Sequence, residues 1–344
     1  MASGRAGPDA GAMTSTPATA PTLLRLGHPA DLVAAVPVVL GFRPRESLVL
    51  VATGGPSGRR IGLTLRVDLP PPAHVHDVVA HAVATLCSDD PAGAAVVVVG
   101  ARARGRTDVL DAAADLLDDH GITLHTALWA EHTDAGGRWG CFGECACTGV
   151  LADPAGTEFA AAAVVAGSVL RGSRAELERL VEPVDGVRIR RRERLLAADP
   201  FDAALPDDDA RHLAVLDTAL ADAAAGRCVI DDPRALALAA ALTRPTVRDA
   251  VLLRCAREAH PGLAGGETLW AALCRELPDP EAAEPAALLA ACALLRGEGA
   301  LANVALDRAE RAWPGHRLAR LLRSAASVPV RPEELRAHLL GTGR

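Results

Sequence analysis

The sequence predicts an α/β mixed-sheet N-terminal domain followed by an all-α helical C-terminal domain, and three patterns carry that prediction. Ile61, Leu63, Leu65, Val67 and Leu69 alternate with Arg60, Gly62, Thr64, Arg66 and Asp68, the period-two signature of a strand with one apolar face. Leu48–Val51 and Ala94–Val99 are short unbroken apolar runs, which is how strands covered on both faces read. Beyond Pro154 the apolar residues recur at helical spacing, and Pro or Gly separates most segments. A chain of 344 residues accommodates two folded units of roughly 100–200 residues each. The expected division is a disordered tail over 1–22, the α/β domain over 23–153 and the helical domain over 154–344, with an acidic, proline-containing linker candidate at 196–210.

In chain order, Pro29–Leu40 reads as an apolar helix stopped by Gly41. The two strands beginning near Leu48 and Arg60 follow. Val75, Val78, Val79, Ala82, Val83 and Leu86 then share one face of a helix expected over His74–Cys87. The strand at Ala94–Val99 precedes a helix near Asp108–Asp119 and a further strand at Ile122–Ala130. The turn Asp134–Gly137 folds the chain back on Arg138–Phe142 as a hairpin. Such strand–helix alternation builds a mixed sheet with helices on its faces. Ten helices are expected between Thr157 and Leu340, with Gly186–Ile189 the one strand candidate among them.

Composition excludes several chemistries. The net charge of -7 and pI near 5.9 disfavour nucleic acid, which requires a positive surface. All 36 basic residues are Arg, Tyr is absent and Asn303 is the sole Asn. A Schiff-base lysine, the lysine of a phosphate loop and a tyrosine acid or base are therefore unavailable. No apolar run approaches the roughly 18–20 residues of a membrane span, and the first 21 residues lack the apolar stretch of a signal peptide. A cytoplasmic location with reduced thiols is expected. Cys228, Cys255, Cys274 and Cys292 read as small buried hydrophobes of Ala/Leu helices.

Candidate site residues gather in the first half. Arg66 and Asp68, two apart on a strand, point to one side near its end, and Arg43, Glu46, Arg138 and Trp139 are expected to converge there as a ligand pocket. The plainer alternative is a solvated polar face. Cys141, Cys145 and Cys147 have the spacing C-x3-C-x-C, with His132 upstream as a fourth soft ligand for zinc. The usual C-x2-C knuckles are missing, so no metal site is assigned and the thiols read as reduced and structural. Gly100–Thr107, GARARGRT, fits a phosphate loop except that Arg106 stands at the lysine position, while Thr107 is equally a helix N-cap. Arg188–Arg194 forms one basic block, read as solvated or paired with acids. Asn303 is expected to be buried and bonded to a neighbouring helix.

Several phrases resemble a known family when taken together: DLVAAVPVVLGFRPRESLVLV, RVDLP, GGRWGCFGEC, RPTVRDAVL, RGEGALANVALDRA and WPGHRLARLL. Over roughly Leu24 to Leu322 the chain resembles the family catalogued as domain of unknown function 4192, found mainly in high-GC Gram-positive bacteria. The resemblance implies motif positions at Leu40-Gly41-Phe42, Pro44, Ser47, Arg66, Asp68, Arg138, Trp139 and Gly297–Asp307. It implies no activity and no cofactor, and Gly140 with Cys141 departs from the family pattern.

The favoured expectation is a non-catalytic binding or regulatory protein, with a small ligand near Arg66 and Asp68 and a protein partner at the helical half. The competing class is an enzyme acting on a phosphorylated or acidic small molecule, with Arg66, Arg138 or Arg106 as anion clamps and Asp68 as base.

Overall fold

A computed structural model describes residues 28–54, 60–88, 90–143, 145, 147–157, 160–161, 169–183, 185–198, 208–257, 260–326 and 332–341. The expected tail, most of the helix expected from Thr157 and most of the linker candidate lie outside these residues.

Helix α1 (Pro29–Leu40) starts from a reciprocal cap. His28 Nδ1 accepts from the Ala30 N–H at 3.2 Å, and Asp31 accepts from the His28 N–H at 2.9 Å, satisfying donors that a helix start leaves open. Gly41 ends it at a φ of 75°, a left-handed conformation that favours glycine. The first half continues with β1 (Ser47–Gly54), β2 (Arg60–Asp68), α2 (Val75–Cys87), β3 (Gly93–Val99), α3 (Thr107–Asp119), β4 (Thr123–Ala130), β5 (Arg138–Cys141) and β6 (Thr148–Val150). The sheet order is β2-β1-β3-β4-β5-β6. Only β3 and β4, joined through α3, run parallel, so the sheet is mixed as expected.

Both sheet faces are covered. Leu48, Leu50, Val96 and Val98 meet Val79, Val83, Val109 and Leu117 of α2 and α3. Val49, Val51, Val97 and Val99 meet Leu32, Val33 and Val36 of α1. This double burial explains the unbroken apolar runs of β1 and β3.

The alternation of β2 does not hold to its end. Val51 faces Thr64 but Thr53 faces Ile61, so β2 sets two residues, Gly62 and Leu63, against one of β1, Ala52. The resulting bulge turns Ile61 to the α1 side while Leu63, Leu65 and Val67 stay on the α2–α3 side, because one extra residue exchanges the faces.

The second half is helical among the described residues. It comprises α4 (Arg174–Arg179), α5 (Gly186–Ala198), α6 (Asp209–Ala224), α7 (Asp232–Leu242), α8 (Pro245–Arg257), α9 (His260–Glu276), α10 (Ala283–Arg296), α11 (Gly299–Ala312), α12 (Arg317–Ala326) and α13 (Pro332–Leu339). Alanine and leucine give these segments high intrinsic helicity. Ser173, Asp208 and Asp231 cap α4, α6 and α7 by accepting backbone N–H bonds. One apolar core joins them around the fully buried Trp270, Leu238 and Leu269, each contributing roughly 1.5–3 kcal/mol by burial. Cys255, Cys274 and Cys292 belong to it, and Cys228 packs partly buried at its margin.

Gly186–Ile189 is helical, not a strand, as the first turn of α5. The basic block on that helix is paired with acids. Arg192 is only 1% exposed and donates to Asp232 Oδ1 at 2.9 Å, Glu276 Oε2 at 2.5 Å, the Glu276 carbonyl at 2.6 Å and the Ile230 carbonyl at 2.7 Å. Arg188 and Arg191 add ion pairs to Glu276 and Asp232. Asn303 is exposed, in contrast to its expected burial, and accepts from Arg323 of α12 at 3.4 Å.

Candidate functional site

The starts of β1 and the ends of β2, β3 and β4 coincide, because Ser47 faces both Asp68 and Val99, and Val99 faces Ala130. This edge holds the carboxyl ends of the parallel pair, where open α/β sheets bind their ligands.

A string of polar contacts crosses it on the α1 side. Arg66 donates from Nη2 to Asp68 Oδ1 at 2.5 Å, and from Nε to the Ser47 hydroxyl at 2.8 Å. That hydroxyl donates in turn to the Arg45 carbonyl at 2.7 Å. Arg45 reaches Asp134 Oδ2 at 3.6 Å, in the turn that joins β4 to β5, and Arg43 Nε lies 2.8 Å from Asp134 Oδ1. Beyond that ion pair, Arg43 Nε makes no hydrogen bond among the described residues. His132 Nδ1, 3.8 Å from Asp134, and the hydroxyl of the buried Thr133 are likewise without hydrogen-bond partners among the described residues. Two polar atoms, His132 Nδ1 and the Thr133 hydroxyl, thus stand unsatisfied beside the Arg43–Asp134 ion pair, where satisfaction is the rule.

Of the six predicted residues, Arg43, Arg66 and Asp68 belong to this string. Glu46 lies at the same edge but is engaged elsewhere: with a φ of 42°, it accepts the Ala101 N–H at 2.9 Å. A Cβ on Gly100 would lie 2.8 Å from that carboxylate, so glycine is what admits it. Trp139 is buried on the α1 face, edge-on to His28 at 5.4 Å. Arg138 alternates with it and therefore points to the opposite face. It is exposed, on a strand four places from β2 or about 19 Å at ordinary strand spacing. Arg138 thus points away from the string, while Trp139 lies on the string's own face, packed against His28. Arg45, Ser47, His132, Thr133 and Asp134 complete the edge; the family resemblance had pointed to Ser47 and the turn sequence to Asp134.

The loop after β3 carries its own anion. Glu46 occupies the Ala101 N–H that a phosphate would take, and Arg106 is bidentate to Asp108 at 2.8 and 3.0 Å and bonded to the Pro70 carbonyl at 2.7 Å. The Arg106 bond holds the Asp108 carboxyl below its ordinary range. Thr107 is the first helical residue and Arg106 the cap position, with no side-chain capping bond.

Two further clusters stand out. Cys141, Cys145 and Cys147 bring their sulfur atoms within 4.8 Å of one another, although their spacing lacks the usual knuckles. His132 sits beyond the Arg138 end of β5 while Cys141 ends that strand, so the histidine is not their partner. Burial first, and then the neighbouring thiols, push the Cys141 thiol up to about 12, while bonds from Cys147 and Cys141 lower Cys145. In the helical core, Glu267 lies 2.8 Å from Arg296, which also binds Glu298. Burial raises the Glu267 carboxyl to about 7, which Arg296 opposes and Glu298 reinforces, and Glu267 Oε1 has no hydrogen-bond partner among the described residues.

On the outer helical surface, Trp313 is 51% and Leu321 62% exposed. An open cleft of about 540 Å³ lies between α11 and α12, lined by Leu306, Glu310, Ala319 and Arg320 among others. Arg317 and Arg320 are exposed, and no ion pair to either is present among the described residues.

Fold and site together define a mixed six-stranded α/β domain with a polar, partly unsatisfied carboxyl edge, joined to a helical half with its own core. The chain belongs to the family described as Domain of unknown function (DUF4192), whose model matches residues 29–333. No curated protein and no solved structure matches it. No helix among the described residues is long and apolar enough to cross a membrane.

Proposed function

We propose that this is a non-catalytic binding protein of the cytoplasm, taking a small anionic ligand at the carboxyl edge of the sheet and a protein partner on the helical surface. The observation that carries the reading is the pair of unsatisfied atoms at His132 and Thr133 beside the Arg43 and Arg45 guanidinium groups, since a buried polar group without a partner destabilises by about 1–3 kcal/mol until something bonds it. An arginine N–H and a hydroxyl ask for an acceptor, which a carboxylate or phosphate supplies. Catalysis finds less support. Ser47 donates its proton to a carbonyl and accepts from Arg66, so no base addresses it, and Asp68 is 87% exposed and ion-paired. The partner surface is supported by an exposed tryptophan near arginines, the residue types that dominate binding energy at interfaces.

A thermal-shift screen with small carboxylates, phosphates and nucleotides tests the first part. A ligand at a hundred times its Kd stabilises by about 2.7 kcal/mol. That shift should vanish in Arg43→Ala and persist in Arg138→Ala, which lies on the other face; a shift indifferent to Arg43→Ala overturns the site. Partner capture by wild type but not by Trp313→Ala, Leu321→Ala tests the second part.

A further inference from the structure

We infer that Cys141, Cys145 and Cys147 form an exchangeable site for a thiophilic closed-shell cation, Zn²⁺, on the turn between β5 and β6. The fold supplies what the spacing lacks. Gly140 faces Thr148 across the two strands, and the next step brings Cys141 opposite Cys147, where the Cys141 N–H donates to the Cys147 carbonyl at 2.9 Å. Directly opposed residues hold their Cβ atoms about 4.5–5.5 Å apart on one face of the sheet. Cys145, within the turn, closes a triangle whose sulfur–sulfur separations are all within 4.8 Å.

Tetrahedral zinc with Zn–S bonds of about 2.3 Å sets its sulfurs roughly 3.8 Å apart. Each edge of the triangle therefore has to shorten by about 1 Å at most, which side-chain rotation provides. Packing does not account for the cluster. Cys255, Cys274 and Cys292 are buried in the helical core, whereas Cys145 and Cys147 are exposed and Cys141 is half-buried. Thiolates outrank imidazole and carboxylate as ligands for soft cations.

Binding converts three thiols and Zn²⁺ into a tris-thiolate complex of net charge -1 with release of three protons, so affinity rises with pH. Three protein ligands leave the fourth tetrahedral position to water, the arrangement of sites that exchange their ligands and not of closed structural ones. This site stands apart from the arginine string, which lies beyond the opposite end of β5, and the two succeed or fail separately.

The test uses the full-length protein, reduced and stripped with a chelator, then titrated with Co²⁺. A thiolate-to-cobalt charge-transfer absorption saturating at one cobalt per chain and displaced by Zn²⁺ is expected. It should disappear in Cys145→Ser and in Cys147→Ser, whose side chains are exposed, and remain in Cys87→Ser. Far-ultraviolet circular dichroism confirms that each variant is folded. Absence of the band in wild type, or its survival in the Cys145→Ser, Cys147→Ser double variant, overturns the inference. So does a native protein, purified without reductant, that shows two fewer than its eight thiols and regains them on reduction, because a Cys141–Cys147 disulfide then explains the proximity.

Discussion

Replacing Glu267 with Gln should change how stability depends on pH, and the direction follows from the position of its carboxyl. Burial raises that group from its ordinary value near 4.5 to about 7 in the folded protein. Between those two pH values the folded state holds a proton that the unfolded state has released. Stability therefore falls as pH rises through this window and levels off above it. Each pH unit is worth about 1.4 kcal/mol, so the full effect is at most about 3 kcal/mol; the side chain is only 15% exposed, which leaves little solvent screening to subtract. Glu267→Gln removes the titration while Arg296 keeps Glu298. Urea unfolding of both proteins across the window, with the free energies subtracted, cancels the carboxylates they share, including Asp108, Asp209 and Asp222. The variant should gain on the wild type steadily as pH rises toward 7. Parallel curves would refute the assignment of a raised carboxyl to Glu267.

Three other perturbations have definite expected outcomes. Arg192→Met leaves Asp232 and Glu276 with only Arg191 and Arg188 and frees the Ile230 and Glu276 carbonyls, a loss of about 1.5–3 kcal/mol, or roughly 3–12 °C in Tm for a domain of this size; a loss under about 0.5 kcal/mol would show that the arginine is dispensable. Thr133→Val removes an unbonded buried hydroxyl at nearly constant volume and should leave the urea midpoint unchanged or raise stability by about 1 kcal/mol, with a marked decrease meaning that the hydroxyl is already satisfied. Gly140→Ala would place a methyl 2.7 Å from the Trp129 ring and should destabilise by about 1–3 kcal/mol with altered tryptophan fluorescence, whereas unchanged emission and midpoint would mean that the ring moves freely.

Much of the fold was legible because burial on two sheet faces and helix punctuation leave strong local patterns. What escaped depended on distance in space. The bulge opposite Val51–Thr53 reversed Ile61, and only Gly62 hinted at it. Strand β6 covers three residues, too few for any periodicity to register. Gly186–Ile189 passed for a strand because the buried stripe of its helix runs through Arg192 and Leu196, and an arginine does not look apolar. Arg138 was grouped with Arg66 because alternation tells which residues share a strand face but not how strands are ordered. The same blindness hid Asp134, whose role comes from a turn placed beside Arg43 and Arg45 by the β3–β4 crossover. For the cysteines, spacing alone argued against convergence, and hairpin register reversed that argument.

Phe42 belongs by sequence to the connection between α1 and β1, yet its ring lies in the helical core, 2% exposed. Its backbone is held on both sides, since Arg171 donates to Gly41 and accepts from Arg43. Phe42, with Leu40 beside it, therefore pegs the first half to the helical core at the residue before the arginine string begins. Cutting the chain into its halves for separate expression would unseat the ring from one piece and leave a hole in the other, so neither fragment is a faithful miniature of the whole. Any motion of the helices also has a lever on Arg43, one peptide bond away.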